Sequence, residues 1–313
     1  MLHVRVVCPD ELADRVVAAL REQVGVVAVR TAGPSSHGTE LTADLARECA
    51  DEVLTTLRRL GVLDRGLVSL EPLDTALGGL VEQAERDAPG EGADAVIWDE
   101  LAGRTGEEST LTGVFLAFIV LATVLAAIGV VTDSPITIVG AMVVGPEFGP
   151  LAGLAVSLVR RRFGIARRGA VALLVGFPAA VIVTGLLSAL ARVAGLIHPS
   201  DITGAHRETE FIYHPGWFSL ITALVAGTAG MLSLTSSKSA ALVGVFISVT
   251  TIPAAGNAAV AAALGVWHET GRSIAQLGIN LVGIVVAGVL TLALLRLRSA
   301  PGRRTAGLRG RGA

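Results

Sequence analysis

Six long apolar segments constrain the fold of this chain more than any other feature. Each has about 20 residues or more, the length that an α-helix needs to cross the ~30 Å hydrocarbon core of a bilayer. The mean hydropathy is +0.65 and charged residues make up only 17%, as is typical of a multi-span membrane protein with a soluble part. We predict an α-helical membrane domain at residues 109–297, with spans at roughly 111–131, 134–159, 169–195, 217–236, 239–264 and 274–295.

The basic residues predict the orientation of these spans. With a cytoplasmic N-terminus, the cytoplasmic connections and the tail carry 12 Lys and Arg residues, against three on the other side, Arg192, Arg207 and Arg272. The positive-inside rule then predicts a multi-pass protein of the cell (plasma) membrane with both termini cytoplasmic. We expect anionic bilayer lipids to bind at Arg160–Arg168 and at the Arg-rich cytosolic tail, residues 298–313.

Residues 1–75 are predicted to form a small α+β domain. The alternating stretch Leu2–Cys8 indicates a strand, and the elements that follow complete the order β-α-β-β-α-β of a ferredoxin-like cytosolic domain. Two roles stay open for it: regulation or assembly, and a passive cytosolic cap. Residues 1–108 hold 21 acidic and 10 basic residues, so nucleic acid, which needs a basic face, is excluded as a partner.

Residues 76–108 are predicted to connect the two domains. A polar linker comes first, and the pattern ADAVIWDELAGRTGEE at residues 93–108 then indicates a short amphipathic helix. Because aromatic side chains favour the boundary between lipid and water, Ile97 and Trp98 are expected at the membrane interface.

The second apolar segment is rich in residues that break helices. Ser134–Gly153 holds three prolines, four glycines and one acid, Glu147. Proline and glycine interrupt helices, and a carboxylate in hydrocarbon costs at least ~2.5 kcal/mol, so this span is expected to line a cavity in the protein. Two interpretations of Glu147 stay open: a carboxylate that couples transport to a proton or cation, and a carboxyl that closes a structural kink.

The fifth apolar segment carries a matching interruption. Leu242–Asn257 repeats the Val-Gly pair and the proline-broken centre of the second segment. Because each half has three spans, the halves would run in opposite directions, as in the inverted repeats of many secondary transporters. We expect the two breaks to meet near mid-membrane and to form a substrate or ion site from Gly145, Pro146, Glu147, Gly149, Ser248, Thr250, Thr251 and Asn257. Backbone bonding within the helix is the alternative role for the hydroxyl groups.

Three further polar groups receive simpler interpretations. The connection between the third and fourth segments holds His198, Asp201, His206, Glu208, Glu210 and His214; their spacing favours a solvated outer loop over a zinc or pH-sensing cluster. Gln276 and Asn280 are expected to join helices, with a substrate role as the alternative. Cys8 and Cys49 have no metal-site spacing, and we predict neither a metal nor a cofactor.

The two interrupted segments resemble a known family. SPITIVGAMVVGPEFGPLAGL and SKSAALVGVFISVTTIPAAGNAAVAAALG are similar to a bacterial and archaeal membrane family, domain of unknown function 389, also called the conserved hydrophobic domain family. The resemblance covers about residues 110–295, and the N-terminal domain resembles the version of actinobacterial members. The family implies a membrane topology and no established substrate. Many of its members have an apolar residue in place of Glu147, which would limit a role of Glu147 to a subgroup.

Two classes of function remain after these exclusions. We predict a transporter or channel for a small solute or ion, built around the two proline-broken spans. The alternative is a membrane-anchored sensor or scaffold whose N-terminal domain binds a regulator, without transport. No nucleophile elbow and no metal motif support an enzyme. The many glycines and alanines of the spans serve close helix packing, and a homo-oligomer is an alternative use of some of them.

Overall fold

The computed structural model describes residues 1–73, 75–88, 97–203, 216–235 and 251–298. The chain divides into two compact units, Met1–Leu101 with Thr235–Lys238, and Ala102–Leu234 with Ser239–Ala313. The first unit contains a small sheet. The second is helical.

The N-terminal unit holds a four-stranded antiparallel sheet in the order β2-β3-β1-β4. Its elements are β1 (Leu2–Cys8), α1 (Asp10–Glu22), β2 (Val26–Ser35), β3 (Gly38–Leu45), a 3₁₀ turn (Arg47–Cys49), α2 (Ala50–Arg59), α3 (Val62–Arg65), β4 (Leu67–Pro72) and α4 (Gly79–Asp87). Strand alternation explains β1, because Val4 and Val6 are buried in the core while Arg5 points away and pairs with Glu40 of β3 at 2.6 Å. Helix α1 turns Leu12, Val16 and Leu20 toward the same core, at the spacing of one helix face.

Helix α4 lies within the stretch predicted as a linker. Ala84 is 2% exposed, and α4 packs against β2. Packing against the sheet therefore stabilises this helix. The polar sequence of the segment does not indicate that contact.

Ile97 and Trp98, which the sequence predicts at the membrane interface, have buried side chains. Ile97 belongs to the core of the N-terminal unit, and Trp98 is 3% exposed. Ile97 precedes α5 (Trp98–Glu108), and Trp98 is its first residue. The first turn of α5 contacts α2: the Trp98 backbone amide donates to Asp51 at 3.2 Å, and Asp99 pairs with Arg58 at 3.0 Å. These polar contacts hold the first turn of α5 against the N-terminal unit.

The second unit supplies several apolar helices and marks the protein as membrane-embedded. Among the described residues, four helices are long and apolar enough to cross a bilayer: α6 (Gly113–Val131), α9 (Phe163–Val193), α11 (Trp217–Thr235) and α13 (Trp267–Arg298). Helices α7 (Pro135–Val144) and α8 (Phe148–Arg160) form a pair bent by 55°, which makes up to five spans. The remaining helices are α10 (Ser200–Thr203) and the short apolar α12 (Ile252–Leu264). Residues 236–250, which include the first part of the predicted fifth span, lie outside the described residues.

One set of helix contacts runs through α12. Gly256 of α12 lies against Ala126 of α6, and Val260 and Leu264 share a buried cluster with Val130, which lies further along α6. Residue numbers rise together on both helices, so α6 and α12 are parallel. Helix α9 follows the same direction, since its Gly185 lies near the carbonyl of Ala259 and its Arg192 donates to the carbonyl of Ala263 at 2.9 Å.

A second set of contacts runs through α13 in the opposite direction. Gly227 of α11 lies against Ile284, and Gly288 lies against both Met231 of α11 and Ala155 of α8. Near the end of α13, the Arg296 side chain donates to the carbonyl of Val159 at 2.8 Å. Helices α8, α11 and α13 are therefore parallel to each other, and the turn at Gly265 makes them antiparallel to α12.

Candidate functional site

Two helices begin at interruptions that their prolines explain. Helix α7 ends at Val144 because Pro146 has no amide hydrogen and holds Gly145 in an extended conformation. Helix α8 restarts at Phe148, directly after Glu147. Helix α12 begins at Ile252, directly after Thr251, with a proline in its first turn, where a missing amide hydrogen costs nothing.

The residues that precede these two helices are hydrogen-bonded to each other. Thr251 Oγ1 donates to Glu147 Oε1 at 2.7 Å, although the residues are 104 positions apart in the chain. Both side chains are 0% exposed. We call this contact the Glu147–Thr251 pair. It brings together one residue from each of the two interrupted segments that the sequence singles out.

The two helix N-termini offset the cost of a negative charge at this point. The first turn of a helix presents unpaired amide hydrogens, and its dipole is equivalent to roughly +0.5 elementary charge. Because α8 and α12 run in opposite directions and both begin at the Glu147–Thr251 pair, their positive ends converge on one carboxyl group. The arrangement can hold a buried carboxylate, or exchange charge with a bound proton or ion.

The other predicted site residues have different surroundings. Gly149 supports close packing, since a Cβ atom there would lie 2.6 Å from the Cβ of Glu108, at the end of α5. Asn257 is 1% exposed but lies about 9 Å along α12 from Thr251, at ~1.5 Å per residue. It donates to Ser273 of α13 at 2.8 Å, away from the pair. Ser248 and Thr250 lie outside the described residues.

Four polar residues on α11 and α13 extend this set: Ser273, Gln276 and Asn280 are buried, and Ser219 is half-buried. Ser273, Gln276 and Asn280 of α13 are each 0% exposed. Gln276 donates to Ser219 of α11, and Ser219 donates to Asn280 at 3.1 Å. The sequence interpretation names Gln276 and Asn280 as contacts between helices, but it misses Ser219 and Ser273. The spacing of three and four residues along α13 is the signal that could have found Ser273.

The connection between α9 and α11 is described only in part. The backbone amide of His198 donates to Asp201 at 2.8 Å, which closes a local turn, while His206, Glu208, Glu210 and His214 lie outside the described residues. In the part of the chain that the structure describes, no three His, Cys, Asp or Glu side chains are grouped to hold a metal ion.

The N-terminal unit contains a cavity of about 630 Å³ between β2 and α4. Its lining combines polar and apolar side chains, including Gln23, Val24, Leu80, Gln83 and Asp87. The two cysteines of this unit are free and buried, and burial raises the pKa of the Cys49 thiol to about 11, so they are poor nucleophiles.

The chain is similar to known proteins of uncharacterised function. An uncharacterised protein of the archaeon Methanocaldococcus jannaschii is 22% identical over 274 residues, covering 87% of this chain and 80% of the relative. No solved structure matches the chain. Residues 142–286, which include Glu147, Thr251 and Asn257, match the model of the domain of unknown function DUF389. The chain is therefore similar to the DUF389 family in the part of its helical unit that holds the Glu147–Thr251 pair.

Proposed function

We propose that this protein is a transporter or channel for a small solute or ion. The observation that carries the proposal is the hydrogen bond from Thr251 to Glu147, which joins the starts of two antiparallel helices inside the protein. Discontinuous helices whose ends meet within a membrane domain are a recurrent way to build a transport site. Glu147 acts in this site as the residue that exchanges a proton or cation during the cycle, and no enzymatic reaction is involved.

Six spans arranged as a 3+3 inverted repeat belong to this proposal. The spans are α6, the α7–α8 pair, α9, α11, a fifth that ends in α12, and α13. Helix contacts support the repeat, because α6 packs on α9 as α11 packs on α13, and α8 on α9 as α12 on α13. The contact of α9 with α12 likewise has a counterpart in that of α13 with α8. The opposite directions of α8 and α12 fit two halves that cross the membrane in opposite senses.

The proposed location is the plasma membrane, with both termini in the cytoplasm. The parallel helices α8 and α13 both end in basic residues, Arg160–Arg162 and Arg296, and the positive-inside rule assigns such ends to the cytoplasm. These arginines would bind anionic lipid headgroups.

The N-terminal unit is proposed to be a ferredoxin-like domain that regulates or assembles the membrane part. Its strand order β2-β3-β1-β4, with every neighbour antiparallel, supports this assignment because the split β-α-β arrangement produces this order. A homo-oligomer would use the small residues on the exposed faces of the spans.

Flux through reconstituted liposomes tests the proposal. The native protein should move protons, a monovalent cation or a small neutral solute from a broad panel, and Glu147→Gln should lower the rate by about tenfold or change its pH dependence, as for other intramembrane coupling carboxylates. Glu82→Gln is the matched control, since Glu82 has the same chemistry but is an exposed residue of α4. No flux across the whole panel would refute transport.

The cavity between β2 and α4 favours a second candidate, a membrane-anchored sensor or scaffold. In that case a small regulator would bind the N-terminal unit, and the helices would anchor or report it. Ligand binding that depends on Gln83, in a protein without flux, would support this candidate over transport.

A further inference from the structure

A row of buried polar side chains follows one face of α13. Ser273, Gln276 and Asn280 are spaced by three and four residues, and each is 0% exposed. Amide and hydroxyl groups are costly to bury unless each finds a hydrogen-bond partner. Packing alone therefore does not explain these polar residues, because alanine or leucine would fill the same space without this cost.

The hydrogen bonds of this row run from Gln276 through Ser219 to Asn280 and leave one buried acceptor of Gln276 open. Gln276 Nε2 donates to Ser219, and Ser219 donates to Asn280 Oδ1 at 3.1 Å. Ser219 has thus used its only hydrogen. Gln276 Oε1 accepts no hydrogen bond in the part of the chain that the structure describes, although it is fully buried. Buried acceptors of this kind are usually satisfied by water, so Gln276 Oε1 is where a water molecule is needed.

Along the helix axis, the polar row extends from the turn at Gly265 to the level of the Glu147–Thr251 pair. Asn257 and Ser273, which are hydrogen-bonded at 2.8 Å, lie eight residues before and after Gly265. Thr251 and Asn280 lie 14 and 15 residues from the same glycine. Because α12 and α13 form an antiparallel hairpin, Asn280 and Thr251 lie at about the same distance from Gly265 along the helix axes. At ~1.5 Å per residue, this level is roughly 10 Å from the Asn257–Ser273 contact.

The Gly265 end of the hairpin is charged. Arg192 of α9 donates to the carbonyl of Ala263 at 2.9 Å, and Arg272 pairs with Glu269 at 3.5 Å in the first turns of α13. Charged side chains at the end of a membrane helix stay hydrated. The polar row thus begins at a wet end of the helices and leads inward.

We propose that Asn257, Ser273, Ser219, Gln276 and Asn280 bind water and form an access route from the Gly265 end of the membrane unit to the Glu147–Thr251 pair. The route supplies the water, and with it the protons, that Glu147 exchanges. In this sense the inference rests on the proposed coupling role of Glu147. The side chains themselves are neutral, so the route discriminates by hydrogen bonding and not by charge.

Cysteine accessibility tests the first part of the route. Ser219→Cys and Ser273→Cys are nearly isosteric changes, made in the full chain with Cys8→Ala and Cys49→Ala and reconstituted in sealed vesicles. A small water-soluble methanethiosulfonate reagent, added to the Gly265 side, should modify both at least about tenfold faster than Ala223→Cys, because only hydrated thiols form the reactive thiolate. Ala223 is the control matched to Ser273, since both are fully buried but Ala223 lies in an apolar cluster on α11.

A second measurement tests whether the route continues to the pair. Thr251→Cys should react with the reagent from the Gly265 side, and adding Gln276→Met should slow the reaction about tenfold by removing the water-binding acceptor. Gln276→Glu keeps an acceptor and should retain the reaction rate, and Leu277→Met is a neighbouring change that should leave it unaltered. Reaction only from the opposite side, or equal rates for Gln276→Met and the parent, would overturn the proposal.

The two proposals fail in different ways. Thiols that react as described in a protein without any flux would support the water route and refute transport. Flux that depends on Glu147, together with unreactive Ser219→Cys and Ser273→Cys, would support transport and refute this route.

Discussion

Thr251 Oγ1 donates a hydrogen bond of 2.7 Å to Glu147 Oε1, and neither residue is exposed. Glu147 precedes the first residue of α8, and Thr251 precedes the first residue of α12. The bond therefore connects two helix starts from distant parts of the chain. Its donor and acceptor are buried together, so removing either one leaves the other buried without this hydrogen bond.

Removal of the Thr251 hydroxyl should destabilise the membrane unit. Thr251→Val keeps the volume but leaves the Glu147 carboxyl without this donor, which should cost about 1–3 kcal/mol, measured as the unfolding free energy in detergent. Thr251→Ser retains the hydroxyl and should lose less. In a double-mutant cycle with Glu147→Gln, the two changes should couple by roughly 0.5–3 kcal/mol, and additive effects would refute an energetic contact.

Two glycines should respond in opposite ways to the same substitution. A Cβ at Gly256 would lie 2.8 Å from Ala126 Cβ and 2.9 Å from the Ala127 backbone nitrogen. Because backbone atoms cannot move aside easily, Gly256→Ala should destabilise the protein by about 1–3 kcal/mol. At Gly140 a Cβ would meet nothing within 4 Å, so Gly140→Ala should stabilise α7 by about 0.5–1 kcal/mol. Thermal unfolding in one detergent measures both, and equal effects would contradict the close contact of α12 with α6.

Trp98 should be inaccessible to lipid. The protein has three tryptophans, and Trp217 and Trp267 are 82% and 72% exposed on membrane helices, against 3% for Trp98. With Trp217→Phe and Trp267→Phe, Trp98 is the remaining fluorophore, and brominated lipids should not quench its emission. The single variants that retain Trp217 or Trp267 with Trp98 serve as positive controls. Quenching of the Trp98 emission would show that this side chain contacts lipid, as the sequence predicts.

Cys49 should react slowly with thiol reagents at neutral pH. Burial raises its pKa to about 11 from an ordinary value of 9.0, so only about one molecule in a thousand carries the thiolate at pH 8. Because the folded state binds this proton more tightly, its stabilising effect is complete below pH 9 and is lost as the pH rises toward 11. Maleimide labelling followed by mass spectrometry measures the rate, and denatured protein provides the control. Rapid labelling of native protein would show that the thiol is not buried.

Several elements follow from local sequence alone. The alternation in Leu2–Cys8 predicts β1, and an unbroken apolar run predicts α6, because a long hydrophobic segment in a bilayer has few alternatives to a helix. The interruption at Pro146 is equally local, since proline acts on its own backbone and on the residue before it. The sequence therefore predicts where α7 ends and why Glu147 lies outside a regular helix.

Other features depend on contacts that local patterns do not encode. Nothing in ADAVIWDELAGRTGEE distinguishes a helix at the membrane surface from one that docks on α2 through Asp99 and Arg58. Likewise, the polar stretch that holds α4 becomes helical because Ala84 packs against the sheet. In both cases the deciding partner is elsewhere in the chain.

The sequence by itself determined that the chain has long apolar helices, a small alternating α+β part and two proline-broken segments, because these properties arise from residues close to one another. Tertiary structure alone decided that Thr251 meets Glu147 while Asn257 turns to Ser273. Both residues lie on the same short segment, only six positions apart. Which of them reaches the carboxyl depends on the side of α12 that each occupies and on the helices packed there, and side-chain type alone does not specify these neighbours.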